Sequence, residues 1–457
     1  MRRAAFACAF ATLGGCAGLI GIDETHELTV EQLEVTPGAL VPAFDPAVTD
    51  YTLDVPYATA ALQVTAVSSS PTATLAIDGA PLTAHVAQNV AVGAATDLAL
   101  VATSTSGVSV SYTIHVKAAA FGIDFEPVMM ASADGMSNNI AAGDLDGDGF
   151  VDLVVTDIGG SRLSILRGTG GVFTSTGMSG AGEKLALGRV DDDDTLDVVV
   201  GTGALMRALG DGAGGFGSFA SAINASISVY AIAIADFNGD QHADIAFGGA
   251  GAVRVQLGDG SGGFSDGPIT SGPMLPSELA VGDFDGSGGV GIAAVDTGAQ
   301  AVWVGTNAGT GAFTLRPLSI GADGGTSMTS ADFDGDGTRD LAVIHSQAGT
   351  VEVITELAGA TEQRVTVPAG MQPVAVVAGD FDADGHADLA VANTGGPGPA
   401  VTILRGDGSG HFAGKTFAFA PGPAARHLVA ADFDNDGRTD LAYTTTTSTV
   451  GILLVKP

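Results

Sequence analysis

The stretch Asp332-Phe333-Asp334-Gly335-Asp336-Gly337-Thr338-Arg339-Asp340 decides the fold, because it is the cleanest of seven copies of one acidic loop. By subtraction, successive copies start 45, 47, 47, 49, 48 and 52 residues apart, at Asp144, Arg189, Asp236, Asp283, Asp332, Asp380 and Asp432. A period of this length is typical of repeat architectures. Apolar runs flank each loop and an alternating run follows, which predicts one small antiparallel sheet per repeat. The sequence therefore predicts an all-β protein whose residues 118–457 form a seven-bladed β-propeller.

The loop chemistry predicts calcium. Side-chain oxygens recur at positions one, three, five and nine, and a backbone carbonyl is available at position seven; Ca²⁺ accepts such flexible sets of oxygen ligands. Glycine at position six permits the sharp turn. We expect about five structural Ca²⁺ sites, at Asp144, Asp146, Asp148, Phe150 and Asp152; Asp236, Asn238, Asp240, His242 and Asp244; Asp332, Asp334, Asp336, Thr338 and Asp340; Asp380, Asp382, Asp384, His386 and Asp388; and Asp432, Asp434, Asp436, Arg438 and Asp440.

The two remaining loops depart from this pattern. Loop two starts with Arg189, whose cation replaces a ligand, although its later aspartates remain. Loop four has Asp283 and Asp285, then Ser287, and it has Gly291 where the ninth-position aspartate is expected. We therefore expect one weak site in loop two and none in loop four.

An EF-hand and a simple turn are two other interpretations of the loops. An EF-hand would need flanking helices and a glutamate at position twelve, where the first and fifth loops have Val155 and Val343 in predicted strands. Aspartate is also a common turn former. Four carboxylates within nine residues repel one another, however, and a turn alone does not require them.

The repeat pattern resembles the FG-GAP and VCBS repeat family, which includes the calcium-bearing propellers of integrin α-chains and of many bacterial surface proteins. The resemblance rests on the loop, the period and a glycine-rich turn that ends in phenylalanine, as in Gly258-Asp259-Gly260-Ser261-Gly262-Gly263-Phe264. It covers all seven repeats and implies the fold, while it says little about the ligand.

Residues 28–117 lack the acidic loop and alternate in short runs, such as Tyr51-Thr52-Leu53-Asp54-Val55, that predict a β-sandwich. The segments Gly38 to Pro46, Thr49 to Pro56 and Ser111 to Val116 resemble the bacterial cadherin-like β-sandwich family. This resemblance implies a surface spacer or adhesion module with no metal. Residues from Lys117 to Ala120 are expected to be a short linker.

The first residues resemble a lipoprotein signal peptide. Arg2 and Arg3 precede a short apolar stretch, and Leu13-Gly14-Gly15-Cys16 resembles a bacterial lipoprotein box. We expect cleavage after residue 15, lipidation of Cys16 and a tether over residues 16–27. An ordinary secretory signal with a chance cysteine is the alternative. A lipid-anchored protein of a bacterial outer membrane or cell surface is therefore predicted.

Composition bounds the possible partners. The formal net charge of −34, without a basic patch, disfavours nucleic acid and anionic lipid surfaces, so the membrane would be reached only through the N-terminal lipid. An acidic surface can also reflect a salty habitat. We expect a monomeric, non-enzymatic adhesion module for an extracellular protein or polysaccharide. A propeller-type polysaccharide lyase, or another secreted carbohydrate-active enzyme, is the alternative; a cluster of Arg, His and Tyr at one channel mouth would favour it.

The ends of the propeller predict how it closes. Only 25 residues (457 − 432) follow Asp432, so the last repeat lacks its outer strand. Residues Phe121 to Val128 resemble the outer-strand segments of other repeats, and we expect them to complete blade seven and pair its edge.

Overall fold

The computed structural model divides the chain into two compact units, residues 1–120 and 121–457. It describes residues 28–456 except for 37, 56–60, 92–96, 119–122, 126–128, 134–136, 158, 160–161, 180–181, 202, 223–226, 250, 273–274, 322–324, 360, 396–399 and 419–423. All regular elements in the described part are β-strands. The predicted signal peptide, Cys16 and the tether lie outside the described residues.

The first unit is a β-sandwich of two sheets, as predicted. Its strands are β1 (Val30–Thr36), β2 (Ala39–Val41), β3 (Asp50–Val55), β4 (Ala61–Ser68), β5 (Thr74–Ile77), β6 (Ala80–Leu82), β7 (Gln88–Ala91), β8 (Asp97–Thr103) and β9 (Ser109–Ala118). One sheet has the order β1-β4-β7 and the other β2-β3-β9-β8-β5-β6. Inward residues alternate along each strand and form one apolar core. The expected linker starts later than predicted, because β9 continues through Ala118 and pairs it with Val55.

The second unit contains seven four-stranded antiparallel sheets, the blades of a propeller. The first six are β11 to β14 (Ser137–Gly143, Asp152–Asp157, Arg162–Gly168, Phe173–Ser179), β15 to β18 (Lys184–Gly188, Asp197–Gly201, Leu205–Ala208, Ala220–Ser221), β19 to β22 (Ala231–Ala235, Asp244–Gly249, Ala252–Gly258, Phe264–Ser271), β23 to β26 (Pro276–Gly282, Gly291–Asp296, Ala301–Asn307, Phe313–Ser319), β27 to β30 (Met328–Ala331, Asp340–His345, Thr350–Thr355, Gln363–Pro368) and β31 to β34 (Pro373–Gly379, Asp388–Asn393, Ala400–Gly406, Phe412–Ala418). The seventh comprises β35 (Ala425–Ala431), β36 (Asp440–Thr445), β37 (Thr449–Leu453) and β10 (Met129–Ser132).

The first strand of each blade lines the propeller axis. Each of these inner strands contacts the inner strand of the next blade, and β35 of blade seven contacts β11 of blade one. The ring is therefore closed. Each acidic loop joins the inner strand to the second strand of its blade, so all seven loops lie at the same end of the ring.

Blade seven is completed from the start of the propeller segment, but by a later stretch than predicted. Met129 to Ser132 pair with Ile452 to Thr449. Of the predicted stretch 121–128, the described residues show one isolated bridge, from Phe125 to Val455. The offset arises because the first four residues of β37 pair with 129–132, so that Phe125 meets Val455, beyond the end of that strand. Shared closure covers an edge that would otherwise be exposed.

The position-two residues pack between blades. Leu145, Val190 and four of the five phenylalanines at this position lie in buried clusters that combine two neighbouring blades, and the fifth, Phe381, is fully buried. Phe433 meets Phe173 edge-on, with ring centroids 5.8 Å apart, and the Phe237–Phe313 and Phe333–Phe412 pairs repeat this geometry. In each pair the second phenylalanine ends the glycine-rich turn of the following blade. The two sequence signatures of the repeat therefore meet at blade junctions.

The small residue before each loop serves the same junctions. A Cβ atom on Gly143 would lie 2.5 Å from Leu196 of blade two, and one on Gly379 would lie 2.8 Å from Thr439 of blade seven. Each clash is with a side-chain atom, so an added Cβ would require Leu196 or Thr439 to shift. Glycine at these positions therefore allows adjacent inner strands to approach.

Candidate functional site

Burial along each acidic loop follows one pattern. Positions one and three are half-buried, as at Asp144 and Asp146, except that Arg189 of loop two is exposed; position five is exposed, as at Asp148. Position nine is buried wherever it is an aspartate, at Asp152, Asp197, Asp244, Asp340, Asp388 and Asp440. Each loop thus forms a cup whose floor is the ninth-position carboxylate.

Carboxylates converge in four of the loops. One oxygen from each member lies within 4.8 Å of the others in Asp144, Asp146 and Asp152; in Asp332, Asp334 and Asp336; in Asp380, Asp382 and Asp388; and in Asp432, Asp434 and Asp440. Of the other predicted aspartate ligands in these loops, Asp148, Asp340, Asp384 and Asp436 do not join the groups. These clusters of half-buried and buried carboxylates can hold a metal ion.

The position-one aspartate also shapes the loop. Asp332 accepts hydrogen bonds from the N–H groups of Gly335, at 2.7 Å, and Gly337, at 2.9 Å. Both glycines have positive φ, of 78° and 88°, which any other residue adopts only at a cost. Position seven holds the residues whose backbone carbonyls are the predicted metal ligands. In every complete loop their N–H groups donate to the position-five side chain, as Phe150, His242, Thr338, His386 and Arg438 do.

The ninth-position aspartate ties three parts of a blade together. Asp388 Oδ2 accepts the N–H of Phe381 at 2.9 Å, and its Oδ1 accepts the N–H of Gly406, at the end of the third strand, at 2.8 Å. The same pair of bonds recurs in loops one, two, three and seven. Loop five differs, because Asp340 accepts only the N–H of Phe333 and its Oδ1 is buried without a hydrogen-bond partner.

Burial raises the pKa of these ninth-position carboxyls, and the neighbouring aspartates of the loop raise it further. The pKa of Asp340 and that of Asp388 rise to about 7, and that of Asp440 rises to about 6. Desolvation disfavours the charged form, while the two backbone hydrogen bonds of Asp388 oppose the shift. A bound cation would remove this electrostatic cost.

Loop three is stabilised by hydrogen bonds within the loop and by a contact with loop two. Asp236 accepts the N–H groups of Gly239 and Gln241, and the side chain of Asn238 donates to Asp240 at 2.8 Å. The Nδ1 atom of His242 pairs with the Asp192 carboxylate of loop two. That contact raises the pKa of His242 and links the two neighbouring loops.

Loops two and four lack parts of the cup. Arg189 offers no carboxylate to the N–H groups of its loop, and no positive φ occurs at Asp194, the sixth position. In loop four, Asp283 still accepts the N–H groups of Ser287 and Gly288, but Gly291 provides no floor. Neither loop forms a convergent carboxylate group among the described residues.

An arginine side chain contacts the carboxylates of loop six, which was not predicted from the sequence. The guanidinium of Arg405 pairs with Asp382, and it lies 3.5 Å from Asp384. Arg167 approaches Asp146 of loop one in the same way, at 3.7 Å. Both arginines precede the glycine whose N–H reaches the ninth-position aspartate. Aligning the repeats on that glycine would have shown this shared position.

The donor chemistry fits a hard cation. The groups contain only carboxylate oxygens, and Asp340 Oδ1 and Asp382 Oδ1 are buried atoms without a hydrogen-bond partner. A buried acceptor without a donor is costly, and an ion with six to eight oxygen ligands supplies a partner for several such atoms together. Zinc sites, in contrast, use thiolate or imidazole ligands in most proteins.

A second site lies in the central channel, in a cavity of about 310 Å³. Residues of six inner strands line it, together with Thr326 and Ser327, which immediately precede the inner strand of blade five. Each blade contributes the residue five places before its loop, namely Asn139, Lys184, Ala231, Glu278, Ser327, Ala375 and His427. Glu278 Oε2 accepts the N–H of Met328 at 2.7 Å. This ring lies outside the acidic loops and has no motif of its own, and its polar members stand out in the sequence only when the seven repeats are aligned at that position.

Comparison with known families agrees with this architecture. Residues 26–118 match the family described as a cadherin-like beta sandwich domain, and residues 236–290 and 380–443 match the FG-GAP-like repeat. The chain carries FG-GAP-like repeats behind a cadherin-like sandwich. The predicted resemblances and the all-β propeller fold are therefore confirmed. No curated protein matches the chain.

Solved structures share the fold of the FG-GAP-like propeller. Two crystal structures of BBS1N in complex with ARL6DN, soaked with mercury and with lead, each match with a TM-score of 0.54 and 13% identity, covering 73% of this chain and 97% of that chain. A lectin from Agrocybe aegerita that recognises non-reducing terminal N-acetylglucosamine matches with a TM-score of 0.47 and 16% identity, covering 74% and 96%. The likeness to the two BBS1N structures, at 13% identity, concerns the fold alone.

A search of the described residues for membrane-spanning helices found none that is long and apolar enough to cross a bilayer.

Proposed function

We propose that this protein is a calcium-stabilised, surface-anchored binding module for an extracellular protein or polysaccharide. The observation that carries the proposal is the convergence of carboxylates in four loops at one end of the propeller. A ring of fixed cations at that end would turn a repulsive acidic surface into a rigid platform for a ligand.

Calcium is the metal that the donor set favours. The loops offer flexible, oxygen-only ligands, whereas Mg²⁺ demands near-ideal octahedral geometry and gives up its waters reluctantly. A site of extracellular affinity adds about 1 kcal/mol at millimolar Ca²⁺. Four or five such sites would together supply a substantial part of a domain's stability.

A cavity beside loop five offers a place for the ligand. It has a volume of about 360 Å³ and is lined by Asp334 and Asp336 of loop five, by Arg364 of blade five and by Ser409 and His411 of the turn in blade six. A Ca²⁺ ion held by loop five would border this cavity. Sugar hydroxyls or carboxylates of a ligand could complete its coordination, which would make binding calcium-dependent.

Anchoring completes the proposed role. A lipid on Cys16 would hold the protein at a bacterial outer membrane or cell surface, and the cadherin-like sandwich would separate the propeller from the lipid. The change Cys16→Ser should move the protein from the membrane fraction to the soluble fraction. Retention of the variant in the membrane at the wild-type level would refute the lipid anchor and support another mode of attachment.

The lyase alternative has less support. It would be favoured by Arg, His and Tyr at one mouth of the channel, and the described lining of the channel cavity contains His427 and Lys184 without Arg or Tyr. The matching families are described by their folds and not by a reaction. We therefore propose a non-enzymatic protein.

A binding screen tests the proposal. The purified protein is applied to glycan and secreted-protein arrays in Ca²⁺ and in EDTA, alongside Asp334→Ala and the matched control Asp285→Ala of loop four. We expect a ligand that binds in Ca²⁺, is lost in EDTA and is weakened by Asp334→Ala alone. Equal binding in EDTA and Ca²⁺ would contradict the calcium-dependent platform.

A further inference from the structure

The channel cavity holds three titratable side chains that the acidic loops do not use. Lys184 belongs to blade two, Glu278 to blade four and His427 to blade seven, and all three occupy the equivalent position on their inner strands. Each is partly exposed to the cavity. Because the seven equivalent positions form a ring, these groups face a common space from three directions.

Within the described part of the propeller, none of the three side chains forms an ion pair. Among the described residues, neither Lys184 nor Glu278 forms an ion pair, and the ring of His427 makes no hydrogen bond. Glu278 is nevertheless fixed in place, because Met328 donates its N–H and Ser327 donates its side-chain hydroxyl. The cavity therefore contains an oriented carboxylate and an unpaired ammonium, held apart.

The electrostatics of the cavity agree with this description. Burial raises the pKa of Glu278 to about 7, and the charge of Lys184 only partly opposes the shift. Burial lowers the pKa of His427 to about 4, and Lys184 and Arg426 lower it further. At neutral pH the histidine is thus a neutral ring that can donate one hydrogen bond and accept another.

We propose that the central channel binds a small zwitterion, whose ammonium group meets Glu278 and whose carboxylate meets Lys184. His427, Asn139 and the hydroxyls of Ser277 and Ser327 line the same cavity and can bond the rest of the ligand. The volume is at the lower end of the range for small-molecule pockets. It suits a molecule with the size of an amino acid.

This site is separate from the calcium loops. The ring residues precede their loops by five positions, along inner strands that run from the zwitterion site towards the loops. Binding in the channel should therefore persist when Ca²⁺ is replaced by Mg²⁺ and the propeller remains folded. Failure of the calcium proposal would leave this inference standing, and the reverse also holds.

A series of ω-amino acids tests the inference on the full chain. Glycine, β-alanine, 4-aminobutyrate and 6-aminohexanoate place the same two charges at increasing separation, and acetate and methylammonium each carry one. Binding is measured by calorimetry and by ligand-observed NMR. We expect one length to bind best, with singly charged probes at least about tenfold weaker, since each of them lacks one charge-assisted contact.

Variants assign the binding to the channel. Lys184→Met and Glu278→Gln should each weaken the best probe about tenfold or more, whereas Lys117→Met and Glu31→Gln on the exposed surface of the sandwich should not. Glutamine keeps an oxygen that can accept the N–H of Met328, and circular dichroism checks the fold. Absence of binding by every member of the series, equal binding of acetate or methylammonium, or unchanged binding by both channel variants would overturn the proposal.

Discussion

Asp197 fixes the start of loop two through Val190, whose N–H donates to Asp197 Oδ2 at 2.7 Å. Its other oxygen accepts the N–H of Gly210 at 2.8 Å, so one buried carboxylate joins the loop, the second strand and the end of the third strand. Loop two begins with Arg189 and forms no convergent carboxylate group. The ninth-position aspartate therefore has a structural function that does not require a metal.

Replacing Asp197 should destabilise the propeller independently of calcium. Asp197→Ala leaves the buried N–H of Val190 and the partly buried N–H of Gly210 without acceptors, and each bond to a charged group contributes roughly 1.5–3 kcal/mol. We expect the free energy of unfolding to fall by about 2–5 kcal/mol by the same amount in Ca²⁺ and in EDTA. The exposed Asp193→Ala serves as the control and should cost less. A loss that appears only in Ca²⁺ would show that loop two binds the ion.

Removing the guanidinium from loop six should strengthen one calcium site. Arg405 pairs with Asp382 and lies near Asp384, so a cation must compete with it for these carboxylates. Arg405→Met should raise the affinity of one Ca²⁺ ion about tenfold, as measured by chelator competition. Arg316→Met, which breaks a pair with Glu362 and lies on the outer strand of blade four, is the matched control. Weaker calcium binding by Arg405→Met would contradict this reading.

The metal-free protein should become less stable as the pH rises. The pKa values of Asp340 and Asp388 are about 7 when folded, against 3.8 for an unperturbed aspartate, so the folded chain holds protons that the unfolded chain has released. Stability in EDTA should therefore fall between about pH 4 and pH 7, by on the order of 1–4 kcal/mol for each carboxyl.

Calcium should reverse most of that loss. Stabilisation by Ca²⁺ should be larger at pH 8 than at pH 5, because protons compete with the ion at low pH. Chemical denaturation at several pH values, with and without Ca²⁺, measures both effects. Metal-free stability that rises from pH 5 to pH 8 would show that these carboxyls are not held in their protonated form.

Closure of the ring should depend on the strand that precedes blade one. Deleting residues 121–132 removes β10 and exposes the edge of β37 along its pairing from Thr449 to Ile452. We expect this deletion to lower the melting temperature of the propeller far more than deletion of the sandwich, residues 28–117. Calorimetry of the two truncated proteins compares them, and equal melting temperatures would refute shared closure.

The sequence predicts the repeat better than it predicts contacts between repeats. Period, loop and alternation identified the blades, because each property is local to one sheet. The strand that closes blade seven lies at Met129 to Ser132, a few residues after the predicted stretch 121–128, because an outer strand has no strong sequence signature. Contacts such as His242 with Asp192 and Arg405 with Asp382 join residues whose side-chain directions depend on the packed structure. The ring of residues in the channel can be recognised in the sequence only by aligning all seven repeats at a position outside the loops.

Metal counting tests the central claim most directly. The protein is saturated with Ca²⁺, freed of excess ion and measured by inductively coupled plasma mass spectrometry, beside Asp334→Ala and Asp285→Ala. The four convergent groups and the complete oxygen set of loop three predict four to five ions per chain. Asp334→Ala should lose one ion and Asp285→Ala none. A stoichiometry near zero, or the same loss from both variants, would contradict the account.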